Sequence, residues 1–167
     1  VFTPAQNANG AGYASFTFSV RDQSGAYDAA PNTLTVDVTA VNDAPTGANA
    51  TVTINEDASH TFIAANFGFS DVDAGDSLSA VRIDTLPSAG TFTLNGVDVT
   101  AGQVIDVSDI NDGDLVFTPA QNANGASYAS FTFSVRDQSG AYDAAPNTLT
   151  IDVTAVNDAP TGTNRSE

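Results

Sequence analysis

Acidic and amide side chains gather in short clusters along this chain. The clusters are Asn42-Asp43, Asn55-Glu56-Asp57, Asp71-Val72-Asp73-Ala74-Gly75-Asp76, Asp109-Ile110-Asn111-Asp112-Gly113-Asp114, Arg136-Asp137 and Asn157-Asp158. Calcium takes six to eight oxygen ligands in a flexible shell, and carboxylate and amide oxygens on short loops can supply them. Calcium binding is therefore the chemistry that these residues predict.

Turn formation is the competing explanation, because Asp and Asn side chains imitate a backbone turn in any β protein. We prefer this explanation for the cluster at 109–114. The loop that starts at Asp71 is not an EF-hand, since glycine stands at its fifth place instead of its sixth and Arg82 stands where a glutamate is needed.

Catalytic chemistry has little basis in the sequence. His60 is the single histidine, and its neighbours have the pattern of an ordinary strand start. With one imidazole and no cysteine, the chain lacks the nitrogen and sulfur ligands of a typical zinc site. A carboxylate pair for glycoside hydrolysis stays open on spacing alone, because twenty acidic residues always offer pairs. Our interpretation is that the protein is not an enzyme.

The net charge of the chain limits the classes of partner that it can bind. Twenty acidic residues face four arginines, which gives a net charge of −16. Such a surface repels nucleic acids and anionic membranes, and no apolar run approaches the roughly 18 residues of a membrane span. A hydrophobic content of 41% with ten phenylalanines is too high for a disordered acidic chain. We therefore expect a folded domain that neither binds nucleic acid nor inserts into a membrane.

A long internal repeat carries these clusters. Residues 1–47 match residues 116–162 at an offset of 115 positions, and the two copies differ only at Gly12/Ser127 and Val36/Ile151. A length of 115 residues is normal for one domain. We predict three parts, namely the C-terminal part of a preceding repeat (1–43), a complete repeat (44–158), and the start of a further linker or a terminal tail (159–167). The chain is thus expected to be a piece of a longer array.

Alternation of apolar and polar residues indicates strands with one buried face. The clearest strands are 128–136 and 149–154, whose earlier copies carry the alternating pattern at Phe16, Phe18 and Val20 and at Leu34, Val36 and Val38. Further strands are predicted at 50–55, 61–65, 78–84, 91–95, 97–99, 103–106 and 114–118. Asn95-Gly96 predicts a tight hairpin, because both residues tolerate positive φ. Seven or so short strands in each repeat predict an all-β, immunoglobulin-like sandwich in tandem copies, with an all-β barrel as the alternative.

Four of the acidic motifs occur in a distinctive order. They are Asn42-Asp43-Ala44-Pro45, Asn55-Glu56-Asp57, Asp71-Val72-Asp73-Ala74-Gly75 and Val135-Arg136-Asp137. This order resembles the plan of cadherins. Together with the stretch Phe117–Gly125, it is similar to the cadherin-like tandem repeats of large bacterial surface adhesins, the VCBS and type I secreted RTX-adhesin group. The resemblance implies a cadherin-like sandwich that is secreted to the bacterial cell surface.

The same resemblance implies calcium ions between consecutive repeats. The implied ligands are Asn42 and Asp43 from the linker, Asp71, Asp73 and Asp137 from the near end of the complete repeat, Glu56, Asn157 and Asp158 for half of the following site, and Asp22, the copy of Asp137, for a site of the partial repeat. Cadherins place an acidic pair just before the sixth strand, whereas this chain has the amides Gln121, Asn122 and Asn124 there. Fewer or weaker ions than in a full cadherin junction are therefore implied.

The resulting hypothesis is a structural extender repeat of a bacterial extracellular adhesin or surface fibre. Calcium at the junctions would rigidify it, and its partners would be neighbouring repeats of the same chain. One alternative is a module whose loops bind a carbohydrate or a protein, for which Tyr27 and Tyr142 are the aromatic candidates. Another is a fibre subunit that self-associates when residues 1–40 complete a sandwich in another molecule.

Overall fold

A computed structural model describes residues 1–160 and residue 162 of the chain. The chain divides into two compact units, residues 1–43 and a second unit that begins at Ala44. The boundary predicted after residue 158 stays a prediction, and residues 161 and 163–167 of the predicted tail lie outside the described residues. Among the described residues, no helix combines the length and the apolar character needed to cross a bilayer.

The first unit is one antiparallel hairpin. Its strands are β1 (Gly10–Phe18) and β2 (Asn32–Val38). Phe16 lies opposite Leu34, and the pairing register shifts between Gly10 and Ala14. Within this bulge Gly12 has a φ of 64°, and its N–H donates to Asp37 Oδ1 at 2.6 Å. An extra residue of this kind bends and twists the strand.

The second unit contains two sheets. Its strands are β3 (Ala50–Asn55), β4 (His60–Thr61), β5 (Ala80–Ile83), β6 (Thr91–Leu94), β7 (Val97–Asp98), β8 (Val104–Asp106), β9 (Leu115–Thr118), β10 (Gly125–Arg136) and β11 (Asn147–Thr154). One sheet has the order β3-β11-β10-β5-β8 and the other has the order β4-β9-β6-β7. All pairings are antiparallel except β3 with β11. The predicted immunoglobulin-like sandwich is confirmed, and the barrel alternative is wrong because the strands form two separate sheets.

Phenylalanine rings fill the space between the sheets. The rings of Phe62, Phe92 and Phe131 lie 4.8–5.7 Å apart, and Phe67 meets Phe133 at 5.0 Å. Edge-to-face and tilted contacts of this kind suit the charge distribution of the rings. The alternation in β10 and β11 thus places one large apolar side chain in the core at every second position, as predicted.

Two local predictions need correction, and one is confirmed. The strand predicted at 61–65 ends at Thr61, because Asn66 Oδ1 accepts from the Ile63 N–H at 2.9 Å and closes a 3₁₀ turn at Ala64–Phe67. No helix was expected, yet α1 (Val107–Asp112) follows β8 and buries Ile110. The hairpin at Asn95-Gly96 is confirmed, since both residues have positive φ between β6 and β7.

Candidate metal centre

The loop that follows Ser70 folds three carboxylates toward one another. The Asp73 N–H donates to Asp71 Oδ1 at 2.9 Å, which is the hydrogen bond of an Asx turn. The Asp76 N–H then donates to the Asp73 carbonyl at 3.2 Å. Gly75 between them has a φ of 97°, a conformation that side chains with a Cβ rarely adopt. The spacing of Asp, Gly and Asp in the sequence therefore produces a tight turn with its carboxylates grouped.

The separation of these carboxylates suits one hard cation. One oxygen from each of Asp71, Asp73 and Asp76 lies within 4.8 Å of the others. Calcium–oxygen bonds are about 2.3–2.6 Å long, so two ligand oxygens on one ion lie at most about 5 Å apart. Within the described part of the chain, this is the one group of three or more acidic or histidine side chains with such spacing.

The electrostatics of the loop also favour a cation. Partial burial, and then the negative charges of Asp137, Asp71 and Asp73, raise the pKa of Asp76 above its usual value. Among the described residues, Asp71 Oδ2 is buried and accepts no hydrogen bond. Unrelieved repulsion between carboxylates and an unsatisfied buried oxygen both destabilise the loop, and a bound divalent ion would relieve both.

Asp137 adds its charge to the group from a different element. It follows the last residue of β10 and is fully buried. Its Oδ1 accepts from the Ala141 N–H at 2.8 Å, and its carbonyl accepts from Ser79 Oγ at 2.5 Å. These bonds fix the start of the β10–β11 turn next to the strand that follows the acidic loop. The negative charge of Asp137 acts on Asp76, but Asp137 is not one of the three carboxylates whose oxygens lie within 4.8 Å of one another. Of the predicted ligands, the structure therefore groups Asp71 with Asp73.

Asp76 is the residue that sequence reasoning missed. It stands in the acidic cluster 71–76, but it was not among the ligands that the resemblance to cadherin-like repeats implied. The signal that could have identified it is the pair of turn residues Ala74-Gly75, which returns the chain so that the side chains at 71, 73 and 76 share one side.

Glu56 lies in a different group of interactions. It is 5% exposed, and its two carboxylate oxygens accept from Asn124 Nδ2 at 2.8 Å and from the Val156 N–H at 2.6 Å. These hydrogen bonds, the one from Asn124 first, lower the pKa of Glu56. The Glu56 carboxylate thereby links the C-terminal end of β3 to the segment that follows β11.

The remaining predicted ligands lie near chain turns and ends. Asn157 and Asp158 directly follow the segment held by Glu56, and Asn157 Nδ2 donates to the Asp158 carbonyl at 3.3 Å. In the first unit, Asn42 Nδ2 donates to the Asp43 carbonyl at 2.8 Å. Asp22 accepts from Ser24 Oγ and the Ala26 N–H, and these bonds lower its pKa. Metal binding by these five residues stays a prediction.

The loop aromatics and the histidine occupy different surroundings. Tyr142 is partly covered by the guanidinium of Arg82, 4.7 Å from the ring centre, whereas its copy Tyr27 is 65% exposed. His60 packs edge-on against Phe62, and burial lowers its pKa although a hydrogen bond with Asn66 opposes this. Tyr142 and His60 are thus packed against neighbouring side chains, whereas Tyr27 is exposed, and loop-based binding through the tyrosines stays a prediction.

Comparison with known families supports the architecture. A family model described as a bacterial Ig domain matches residues 42–154. No curated protein and no solved structure gave a significant match. The matched segment contains the acidic loop, the Asp137 turn and both sheets, and an Ig-like domain is a structural kind of fold rather than an enzymatic one. Because the match spans more than half of the sequence, the chain belongs to the bacterial Ig domain family.

Proposed function

We propose that this protein is a spacer repeat of a bacterial surface adhesin or fibre, and that calcium bound at Asp71, Asp73, Asp76 and Asp137 stiffens the end of the repeat at which they lie. Family membership supports the coarser part, an Ig-like, surface-associated repeat module. The convergence of three carboxylates within 4.8 Å is the observation that carries the finer part.

The repeat itself supports a spacer role. Two nearly identical copies of a 47-residue segment stand 115 positions apart, which is the pattern expected when one module is reused in series. A strand of about ten residues at roughly 3.3 Å each makes one module about 35 Å long. A series of such modules extends a distal binding domain away from a surface, and the near-identity of the copies makes the number of modules easy to change.

The ion would act by replacing repulsion with attraction. Three carboxylates of the 71–76 loop lie within 4.8 Å of one another, and Asp137 adds its negative charge at Asp76. An ion that takes oxygens from this loop and from Asp137 would tie the loop to the turn after β10. Further oxygens for a calcium shell would come from water. From the resemblance to cadherin-like adhesins, we propose that Glu56, Asn157 and Asp158 contribute oxygens to the following junction, where calcium would have to share Glu56 with its hydrogen bonds to Asn124 and Val156.

Thermal melting with calcium tests the proposal. Extracellular calcium modules bind with dissociation constants on the order of 10⁻⁴–10⁻³ M. At about 10 mM calcium, a site of about 10⁻⁴ M stabilises the folded state by about 2.7 kcal/mol, which corresponds to a rise in melting temperature of about 10 °C for a domain of this size. Calorimetric scans of the protein in EDTA and in CaCl₂ measure the rise directly.

Matched variants separate a specific site from general screening of a chain with a charge of −16. Asp73→Asn should abolish most of the calcium-dependent rise. Asp98→Asn removes the same charge from β7, outside the group, and should leave the rise intact. A rise that is absent, or that both variants reduce equally, would refute calcium binding at this loop.

A further inference from the structure

The strands at the entry and at the exit of the second unit are neighbours in one sheet. β3 and β11 run parallel in six residue pairs, which extend from Ala50–Leu149 to Asn55–Thr154. The chain enters β3 at one end of this ladder and leaves β11 at the other end, because parallel strands have their C-terminal ends on the same side. Tension along the chain therefore draws β3 and β11 past each other along their length.

The direction of tension decides how a ladder of hydrogen bonds resists it. When the tension runs along the strands, the bonds of all six pairs are strained together and must break nearly at once. When it acts across the strands from one end, the pairs open one after another. Forced unfolding is governed by the rate of unfolding, and hence by its barrier. The geometry of β3 and β11 is therefore the more resistant of the two.

Side-chain and backbone bonds extend the ladder at its entry. Asn49 Oδ1 accepts from the Thr148 N–H at 2.7 Å, one step before the first residue pair. Further upstream, the Thr46 N–H donates to the Ser70 carbonyl at 2.8 Å, and the Ser70 N–H donates to the Thr46 carbonyl at 2.9 Å. The entry segment is thus held in place before β3 begins.

Glu56 extends the ladder at its exit. Its N–H donates to the Thr154 carbonyl at 2.8 Å, and its carboxylate accepts from the Val156 N–H at 2.6 Å. The Thr154 hydroxyl donates to the Ile54 carbonyl at 3.1 Å. Glu56 is 5% exposed, and a hydrogen bond to an ionised group is roughly twice as strong as one between neutral groups. The carboxylate therefore holds the segment after β11 firmly against the end of β3.

We propose that the β3–β11 ladder is a mechanical clamp that bears tension along the chain, and that Glu56 is the lock at its exit end. The inference rests on the proposed function, since a spacer between a surface and a distal adhesive domain carries tension along its length. Val52, Ile54 and Ile151 reinforce the clamp, because these buried side chains would have to leave the core as the strands slide. The force at which the unit unfolds is then set by the clamp rather than by the overall stability of the sandwich.

Single-molecule pulling from two pairs of points tests the proposal. The chain has no cysteine, so cysteines introduced at exposed alanines define the points of attachment. Ala44→Cys with Ala159→Cys loads the ladder along its strands. Ala44→Cys with Ala144→Cys is the matched control. Ala144 lies in the β10–β11 loop, beside the entry segment, since a Cβ at Gly47 would lie 3.4 Å from Asp143 Oδ2. Pulling from this second pair opens the ladder from its entry end.

We expect the unfolding force to be several-fold higher between residues 44 and 159 than between residues 44 and 144 at the same pulling speed. The substituted alanines are exposed, so both variants should melt at the temperature of the parent protein. A difference in force then arises from the direction of pulling alone. Equal forces in the two directions would overturn the clamp.

Glu56→Gln tests the lock in the protein pulled between residues 44 and 159. The amide group of glutamine replaces one carboxylate oxygen by a donor, so one of the bonds from Asn124 and Val156 is lost. Ile105→Ala is the control, because it empties a fully buried position in β8, outside the clamp. We expect Glu56→Gln to lower the unfolding force more, although Ile105→Ala lowers the melting temperature more. An equal or larger loss of force with Ile105→Ala would overturn the role of Glu56.

All pulling is done in EDTA, so its outcome does not depend on calcium. If the forces are equal in the two directions, the clamp is refuted, and the calcium-dependent rise in melting temperature still decides the metal site. If that rise is absent and the forces differ, the metal site is refuted and the clamp is supported. The two proposals therefore fail separately.

Discussion

The same substitution in the two copies of one phenylalanine should have very different effects. Phe133 is fully buried, lies opposite Ile83 across the sheet and meets the ring of Phe67 at 5.0 Å. Its copy Phe18 is 40% exposed, and its neighbouring ring is Phe16 at 6.3 Å. Sequence context is nearly identical at the two sites, so any difference arises from tertiary packing.

The expected magnitude follows from burial. Truncating a buried phenylalanine to alanine costs about 3–5 kcal/mol, because the lost transfer free energy adds to that of the cavity left behind. For Phe133→Ala this corresponds to a fall of about 10–20 °C in the melting temperature of the second unit. Phe18→Ala removes a half-exposed ring from the other unit and should leave that transition unchanged to within about 0.5 kcal/mol.

Scanning calorimetry and urea unfolding followed by far-ultraviolet circular dichroism measure both variants. The chain has no tryptophan, so fluorescence of that residue is not an option. Equal destabilisation of the second unit by the two substitutions, or a cost below about 1 kcal/mol for Phe133→Ala, would refute the assignment of the core to one copy of the hairpin.

Three further substitutions test other parts of the structure. Gly90→Ala should destabilise the second unit by more than Gly96→Ala. Both glycines have φ near 75°, but a Cβ at Gly90 would lie 2.5 Å from the Phe117 ring, whereas a Cβ at Gly96 meets nothing within 4 Å. Equal free energies of unfolding for the two variants would contradict this. Because the pKa of Glu56 is lowered on folding, the ionised carboxylate stabilises the protein above pH 4.5, the pKa of the unfolded state, and this stabilisation is lost as the pH falls through the folded pKa. Glu56→Gln should therefore lower the melting temperature by several degrees at pH 7, and the melting temperature of the variant should decline less in acid. The raised pKa of Asp76 has the opposite sign: metal-free protein loses stability as pH rises through that value, so Asp76→Asn should raise the melting temperature in EDTA and reduce the rise produced by calcium. A lower melting temperature of Asp76→Asn in EDTA would show that the acidic loop is not under repulsive strain.

Local pattern alone was sufficient to predict most of the strands. Alternation predicted the buried faces of β10 and β11, and Asn95-Gly96 predicted its hairpin, because each depends on residues that are close in sequence. The turn at Ala64–Phe67 was missed because the Ile63 backbone N–H donates to the Asn66 side chain, and this bond competes with an apolar strand pattern. The six-residue α1 was missed because it is shorter than the three turns over which a helical stripe can be recognised.

For the candidate site, too, local features could be predicted from the residue pattern alone and long-range ones could not. The sequence by itself determined the types of ligand and the tight 71–76 turn, since Asp, Asp and Gly at these positions act within a few residues of one another. The resemblance to cadherin-like repeats implied that Asp137, more than sixty positions away, lies near that turn, and the tertiary structure shows its charge acting on Asp76. Only the tertiary structure decided that both oxygens of Glu56 accept hydrogen bonds, from Asn124 and Val156. Sequence identity likewise determined that the two hairpins share one internal geometry, whereas burial is a property of what packs on them. That is why Phe18 is 40% exposed and Phe133 is fully buried, although the two have the same neighbours along the chain.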